Sequence, residues 1–559
     1  MAASRTLPEA LAGAARTDAG YCFVSGDTDR WRSYADIRHA SLRVARSLHE
    51  AGLRRGDLVA LVLPDGERFL VALFGASLAG VTPASLYPPP AIGELSRYVE
   101  LTAAILRASG ARAVVTTRVL APSFDRARRG CPELSLVLCH DDLDATALEP
   151  DVWPALDDIA FVQFTSGSTS TPKGVALTHA NLSANIDAFG GPSAVATSTD
   201  DIGVSWLPLN HDMGLVGMAL GALYAGRPCV LLPPQAFVKR PAAWLRAITR
   251  HRATVSFAPD FAYDLCVRRV NDLDGLDLSS WRVAGCGAEP IHPPTLAAFS
   301  RKFAASGFRD TSFLPCYGLA EHVVAATVAP LGRRPRIEQI SADELTARRV
   351  AVPHVGDGRS IPLASCGSAL PGHQLRIAGE DGRPLPERHV GEILLAGPSV
   401  MRGYYKEPTL TAETIREGWL HTGDLGYLSQ GELFVCGRAK DLIIVNGRKY
   451  HPQDLEWAVD GLDGVRRGRV VAFGAVRSGG ADRVVIVVES TGTVPRGMLT
   501  DAIRREIGDL FGLYVDDVAL VRSGTVGRTT SGKVQRAATR TRYERGELED
   551  ETLKASARD

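Results

Sequence analysis

No two cysteines in this chain are spaced as CxxC. Its nine cysteines (Cys22, Cys131, Cys139, Cys229, Cys266, Cys286, Cys316, Cys366 and Cys436) are an odd number scattered through 559 residues. That argues against a disulfide framework or a zinc ribbon and for free, buried thiols in a reducing compartment. Charge of one sign is also missing: 63 Lys and Arg balance 63 Asp and Glu. Neither nucleic acid nor an anionic membrane is therefore expected as the principal partner. Long apolar runs are absent too. The longest, 69–87, is broken by Gly75, Gly80, Thr82 and Pro83 and reads as a buried helix entering a strand. The N-terminus has no apolar h-region, so the expectation is a cytoplasmic protein without stable membrane insertion. A Walker A loop is lacking as well, since Gly532-Lys533 is followed by Val534 instead of Ser or Thr.

What is present suits a large soluble protein. A length of 559 residues exceeds one core and predicts two or more domains. Strand-like runs at 57–63 and 113–115 alternate with helical periodicity at 68–78 and 241–251, which favours mostly parallel sheets covered by helices, an α/β fold. Short strands around 391–395 and 433–436 predict a small antiparallel section. A cluster of glycine and charge at 437–441 precedes a new strand and helix pattern, with strands at 469–473 and 483–489. The expected division is a large N-terminal domain, 1–436, and a small α+β domain, 437–559, ending in a charged frayed helix or tail.

The chemistry-bearing stretches begin with FTSGSTSTPKGV, 164–175, where an apolar run opens into small hydroxylated residues. Gly167 lets backbone N–H groups turn toward an anion; Ser166, Ser168 and Thr169 add hydroxyl donors, and Lys173 adds a point charge. A flexible turn is the ordinary alternative. In CYGLAEH, 316–322, Tyr317 can stack on a purine while Glu321 holds Mg²⁺, or the two are a buried tyrosine and a surface glutamate. Asp424, in the glycine-flanked turn of GWLHTGDLGYL, 418–428, offers an exposed carboxylate to both ribose hydroxyls, or else closes an Asx turn. Arg438 can reach the sugar or phosphate, or lie on the surface. In TTSGKVQR, 529–536, Lys533 can neutralise charge at an α-phosphate, although a lone surface lysine is commoner.

The order and spacing of these segments resemble the adenylate-forming superfamily from about residue 31 to 536, and GEILLAGPSVMRGYY (391–405) and GRAKDLIIVNGRKYHPQDLE (437–456) extend the match. The resemblance implies that Thr165, Ser166, Gly167, Ser168, Thr169 and Lys173 contact the phosphates of ATP. It implies that Gly287, Ala288, Glu289, Pro290, Tyr317 and Gly318 line the adenine pocket, and that Glu321 binds Mg²⁺. Asp424 and Arg438 would hold the ribose, Lys533 would assist adenylation, and Asp441 would be the hinge of a mobile C-terminal domain. The implied reaction joins a carboxylate to ATP, giving acyl-adenylate and pyrophosphate, then passes the acyl group to a thiol.

Within that superfamily the chain resembles the fatty acyl-AMP ligases. WLPLNHDMGL (206–215) looks like their substrate-pocket motif, with His211 and Met213 at the acyl entrance. Ala320 stands where many CoA ligases carry threonine. The segment 340–364 matches in position an insertion thought to hamper the domain arrangement used with CoA. Ser341 and Glu344 there form a capping-box pair, predicting a short helix with Arg348 and Arg349 in its later turns. His322-Val323-Val324 and Cys286 depart from the branch pattern. The expected function is fatty acid activation and loading of the holo acyl carrier protein of a polyketide or peptide synthase system. The alternatives are a fatty acyl-CoA ligase and a non-catalytic adenylate- or lipid-binding relative.

Overall fold

Successive residues of a strand leave opposite faces of its sheet, and in Leu58–Leu61 both faces are apolar: Val59 and Leu61 enter one core, Leu58 and Ala60 another. A strand of this kind must be covered on both sides, as parallel sheets are. It lies inside a seven-stranded sheet, where Thr82–Ser85, Ala113–Thr116, Leu136–Cys139 and Ile159–Thr165 continue in parallel. Lys173–Thr178 and Gly403–Tyr404 close one edge antiparallel. The structure is a computed structural model that describes residues 4–26, 28–86, 95–165, 173–445, 448–476, 482–529 and 534–548.

A nine-stranded sheet runs parallel through Gly20–Ser25, Cys229–Leu231, Gly203–Ser205, Val255–Ala258, Val283–Cys286 and Phe313–Tyr317, with antiparallel strands at its edges. Helices Tyr34–Glu50, Gly66–Leu78 and His179–Gly190 share the core common to both sheets. The predicted helices at 68–78 and 241–251 form as Gly66–Leu78 and Ala242–His251. Trp244 and Trp281 are fully buried, and their indole N–H groups donate to Ser256 Oγ at 2.9 Å and the Val283 carbonyl at 2.7 Å. These bonds fix the strands that lead into the site. The fold is α/β, as the alternation of elements implies. All nine cysteines are free, and no helix among the described residues is long and apolar enough to cross a membrane.

Residues beyond 440 pack around a three-stranded sheet, Val465–Val476, Asp482–Ser490 and Asp517–Val521. Val470, Ile486 and Val488 meet the helices Pro452–Asp460 and Arg496–Phe511 on one face, while Val471, Val485 and Val487 form a separate cluster on the other.

Between these units lies an antiparallel sheet containing Gln374–Ala378, Gly391–Ala396, Trp419–Ser429 and Glu432–Arg438. The hairpin Ile337–Ser341 and Ser360–Ala364, with helix Ala342–Arg348 inside it, covers one face of that sheet. Ile340, Leu345 and Ile361 pack there against Leu425, Tyr427 and Phe434. The predicted capping box is only half formed. Ser341 Oγ accepts from the Glu344 N–H at 3.3 Å, but the Ser341 N–H is already donated to the Val352 carbonyl at 2.8 Å. Glu344 pairs with Arg348 instead, at 3.1 Å. Arg349 does not extend the helix; its φ of +56° ends it.

Glu338 anchors the hairpin by accepting from Arg336 (2.6 Å), Arg388 (3.1 Å), Ser429 Oγ (2.9 Å) and Tyr427 OH (3.1 Å). Burial works to raise this carboxyl, but the hydrogen bonds from Ser429 and Arg388 and the Arg388 charge win and hold it below its ordinary value of 4.5. Its contribution is therefore complete above pH 4.5 and is lost as pH falls through the lower folded value. Glu338→Gln is expected to cost the hairpin about 1–3 kcal/mol near neutral pH, read as faster amide exchange at 337–341. The gap from the unsubstituted protein should close below pH 4.5.

Candidate active site

Two adjacent parallel strands, Val283–Cys286 and Phe313–Tyr317, end at the same edge of the nine-stranded sheet, where crevices beyond carboxyl ends of strands bind ligands. Gly287 follows the first, and a Cβ on it would stand 2.7 Å from the Cys316 carbonyl oxygen, so only glycine lets the two chains close up here. Ala288 takes a φ of +68°, and the Glu289 carboxylate accepts the Phe261 N–H at 2.7 Å. A cavity of about 1930 Å³ opens from this edge; Ala288, Glu289, Pro290, Tyr317, Gly318, Glu321, Asp424, Arg438 and Asp441 line it, and so do Lys173, His211 and Met213. The structure thus brings together residues separated by up to 268 positions in the chain.

Tyr317 ends its strand and donates its hydroxyl to Asp424 Oδ2 at 2.8 Å. Burial, reinforced by the Asp424 charge, pushes the phenol pKa well up and keeps it protonated. Asp424 does not sit in an exposed turn as its flanking glycines suggest. It lies within the strand Trp419–Ser429, is 6 % exposed, and faces Arg438 across the antiparallel pairing. Arg438 Nε reaches Asp424 Oδ1 at 2.7 Å, and this carboxylate raises the arginine's pKa. Thr422 Oγ1 accepts the Asp424 N–H at 3.0 Å.

Glu321 lies in the short turn Ala320–His322, and its Oε1 accepts from Tyr404 OH at 2.8 Å. The Lys173 ammonium stands 5.2 Å from the Tyr404 ring centre, a cation–π distance. Sequence reasoning missed Tyr404: it lies 83 residues from Glu321 in a run of two tyrosines, and only the pairing of Gly403–Tyr404 with Lys173–Thr178 delivers it. After Glu321 the chain reverses tightly. Val323 has φ +68° and ψ −68°, and the Val324 N–H donates to the His322 carbonyl at 2.9 Å. This γ-turn of the rare positive-φ kind is strained, above all for a β-branched residue. Burial lowers the His322 pKa to about 4, so the ring is neutral, with Nδ1–H donating to the Ala325 carbonyl at 3.0 Å. Cys286 is buried, and burial pushes its thiol well up, so it is inert.

His211 and Met213 also line the cavity. His211 Nδ1 is 2.7 Å from Asp212 Oδ1, and Met213 begins a wide π-helical stretch to Leu220. Asp441 accepts from Arg536 Nη1 at 3.0 Å, and Arg536 also reaches Glu456 at 2.8 Å, a part-buried link between the two motifs at 437–456 and 529–536 that their spacing did not announce. Ser166, Gly167, Ser168, Thr169 and Lys533 lie outside the described residues, and Thr165 is the last residue of the strand Ile159–Thr165.

Residues 11–405 match the family described as AMP-binding enzyme. The chain is 38% identical over 556 residues, 98% of its length and 96% of the other's, to a putative acyl-CoA synthetase of Caulobacter vibrioides. It is 34% identical over 544 residues, 92% of its length and 90% of the other's, to the medium-chain-fatty-acid–[acyl-carrier-protein] ligase JamA of Moorena producens. A solved structure from a study of fatty acyl-adenylate ligases of E. coli and L. pneumophila shares 36% identity and a TM-score of 0.91, covering 97% of this chain and 98% of that one.

The Asp424 pairing predicts a stability pattern. Arg438→Leu removes the cation from a buried carboxylate and is expected to destabilise by about 1–3 kcal/mol, less than a fully buried pair because Arg438 is half exposed. Adding Asp424→Asn should recover part of that loss in denaturant unfolding, because the charge left unpaired is then gone.

Proposed function

The chain belongs to the AMP-binding enzyme family, and from that premise we propose that it is a fatty acyl-AMP ligase that delivers its acyl group to the phosphopantetheine of a holo acyl carrier protein. Adenylate formation from an acid and ATP is the chemistry of this family. A carboxylate oxygen attacks the α-phosphorus, the bond from that phosphorus to the β-bridging oxygen breaks, and pyrophosphate departs with the electron pair. The reaction needs positioning and charge neutralisation more than covalent help.

The cavity supplies both. We assign the ring of Tyr317, with Gly287, Ala288, Glu289, Pro290 and Gly318, to the adenine. Asp424 would accept the two ribose hydroxyls: Tyr317 donates to one of its oxygens and Arg438 to the other, and a carboxylate oxygen takes more than one donor. Lys173 and residues 165–169 would meet the phosphates, and Lys533 the charge on the attacking and bridging oxygens. Glu321 fits Mg²⁺, a hard cation that takes one carboxylate plus phosphate oxygens and water; its Oε1 accepts from Tyr404, and the residue lines the cavity. Bound there, Mg²⁺ would neutralise phosphate charge. His211 and Met213 would flank the acyl chain. Residues 437–559 would form the mobile domain, turning about Asp441.

In the second step the thiol sulfur attacks the acyl carbonyl carbon, the bond to the adenylate oxygen breaks, and AMP leaves. The acceptor is the finer part of the reading. The observation that carries it is the hairpin holding 340–364: Arg359 donates to the Leu510 carbonyl, and Glu380 receives both Arg349 and Lys449 at 3.0 Å. These contacts tie the hairpin and its sheet to the C-terminal segment and oppose the rearrangement used with CoA. The name of the JamA relative agrees, whereas the C. vibrioides relative is named for CoA.

ATP–pyrophosphate exchange across a series of carboxylic acids, followed by a choice between CoA and holo carrier protein, tests the reading. Exchange with fatty acids and thioester on the carrier protein is expected; quantitative conversion to acyl-CoA would overturn the acceptor. Lys533→Ala should slow adenylate formation by roughly 10²–10³-fold with ATP binding unchanged in calorimetry. Near-normal adenylation by that variant removes the role given to the lysine.

A further inference from the structure

Asn185 is fully buried on the helix His179–Gly190, 136 residues before Glu321 in the sequence. Its amide nevertheless makes three hydrogen bonds to one short stretch. Nδ2 donates to the His322 carbonyl at 3.2 Å and the Ala325 carbonyl at 2.8 Å, and Oδ1 accepts the Ala325 N–H at 3.3 Å. That stretch is the strained γ-turn centred on Val323, at φ +68° and ψ −68°. On one side of the turn stands Glu321, with its main-chain carbonyl taken by the Met401 N–H at 2.9 Å and its carboxylate by Tyr404. On the other side Val324 and Ala325 line the cavity. The turn also presses into the preceding loop: a Cβ on Gly318 would lie 1.7 Å from the Val324 carbonyl oxygen.

We propose that Asn185 is a positioning residue for the reaction: its amide clamps the strained turn at Val323 and thereby sets both where the Glu321 carboxylate stands and how Val324 and Ala325 wall the cavity. A turn with positive φ at a β-branched residue persists only when its surroundings over-determine it. The clamp supplies that determination through the two carbonyls that bracket Val323, and the planar amide of asparagine offers both the donors and the acceptor that these contacts use. The functional half of the inference rests on the adenylation reading, through Glu321.

A double-mutant cycle tests it. Asn185→Ala is expected to lower kcat for ATP–pyrophosphate exchange by roughly tenfold or more, as small misplacements in an active site do, and to raise the Mg²⁺ concentration needed for half-maximal rate. Val323→Gly removes the strain, because glycine accepts positive φ freely, and its own rate, whatever the loss of the buried side chain costs, is the baseline for the second arm of the cycle. In the Val323→Gly background the loss caused by Asn185→Ala should shrink to about twofold. An equal loss in both backgrounds means a cavity effect of a core side chain and overturns the proposal. Amide exchange at Val324, whose N–H closes the turn, gives a readout independent of activity. It should quicken about tenfold in Asn185→Ala, and unchanged exchange there overturns the clamp. Absence of ATP–pyrophosphate exchange in the unsubstituted protein would instead sink the adenylation reading, while the Val324 amide still decides the clamp.

Discussion

Two phenol–carboxylate hydrogen bonds hold the cavity together, and each joins separate sheets. Tyr317, at the end of a strand of the nine-stranded sheet, reaches Asp424 in the antiparallel sheet. Tyr404, on the edge of the seven-stranded sheet, reaches Glu321 just beyond the nine-stranded one. Hydrogen bonds to ionised groups contribute about 1.5–3 kcal/mol each, enough to fix the relative placement of elements that share no strand pairing. The carboxylates so held are the ones assigned to ribose and metal, so on that assignment the groups that would bind ligand also join the layers. A ligand therefore meets carboxylates already oriented and spends little on ordering them.

Strain sits beside this arrangement. The turn at Val323 costs of order 1–3 kcal/mol, and the close approach of Val324 to Gly318 forbids any larger residue there. In exchange the chain reverses within a few residues of Glu321 and returns as Thr327–Val328 to pair with the strand it left.

How much of this was legible in the sequence depends on the range of each interaction. Strands at 58–61 and 113–116 and helices at 66–78 and 242–251 were readable because one face or both faces carry apolar residues at the proper period. Tyr317, Glu321, Asp424 and Arg438 were found through motif spacing, and the cavity gathers all four. Asp424 was read as an exposed turn residue because Gly423 and Gly426 mark turns locally. The strand instead runs through them: a Cβ on Gly426 would sit 2.6 Å from the Phe434 carbonyl oxygen, so that glycine serves a close sheet contact. Tyr404 and Asn185 left no signal, because their meaning lies in partners 83 and 137–140 residues away. Local pattern fixes which element forms; it carries no record of which side chains meet after the sheets assemble.

The choice of acceptor follows a different logic from the activation step. CoA and a holo carrier protein present the same phosphopantetheine thiol to the same acyl carbonyl, so neither nucleophile nor electrophile can discriminate between them. Discrimination must come from what surrounds the thiol and from the arrangement in which it enters. On the proposed reading the hairpin at 337–364 would act at that level: anchored through Glu338 and an apolar face, it touches the C-terminal segment at Leu510, and Glu380 of the sheet it covers meets Lys449. Each contact is weak alone, as exposed ion pairs are. Acting together they bias an equilibrium between arrangements of two units, and a bias of a few kcal/mol suffices to move such an equilibrium almost completely. On the proposed reading, selectivity for the acceptor would lie in the energy of moving the C-terminal segment, apart from the residues assigned to the chemistry.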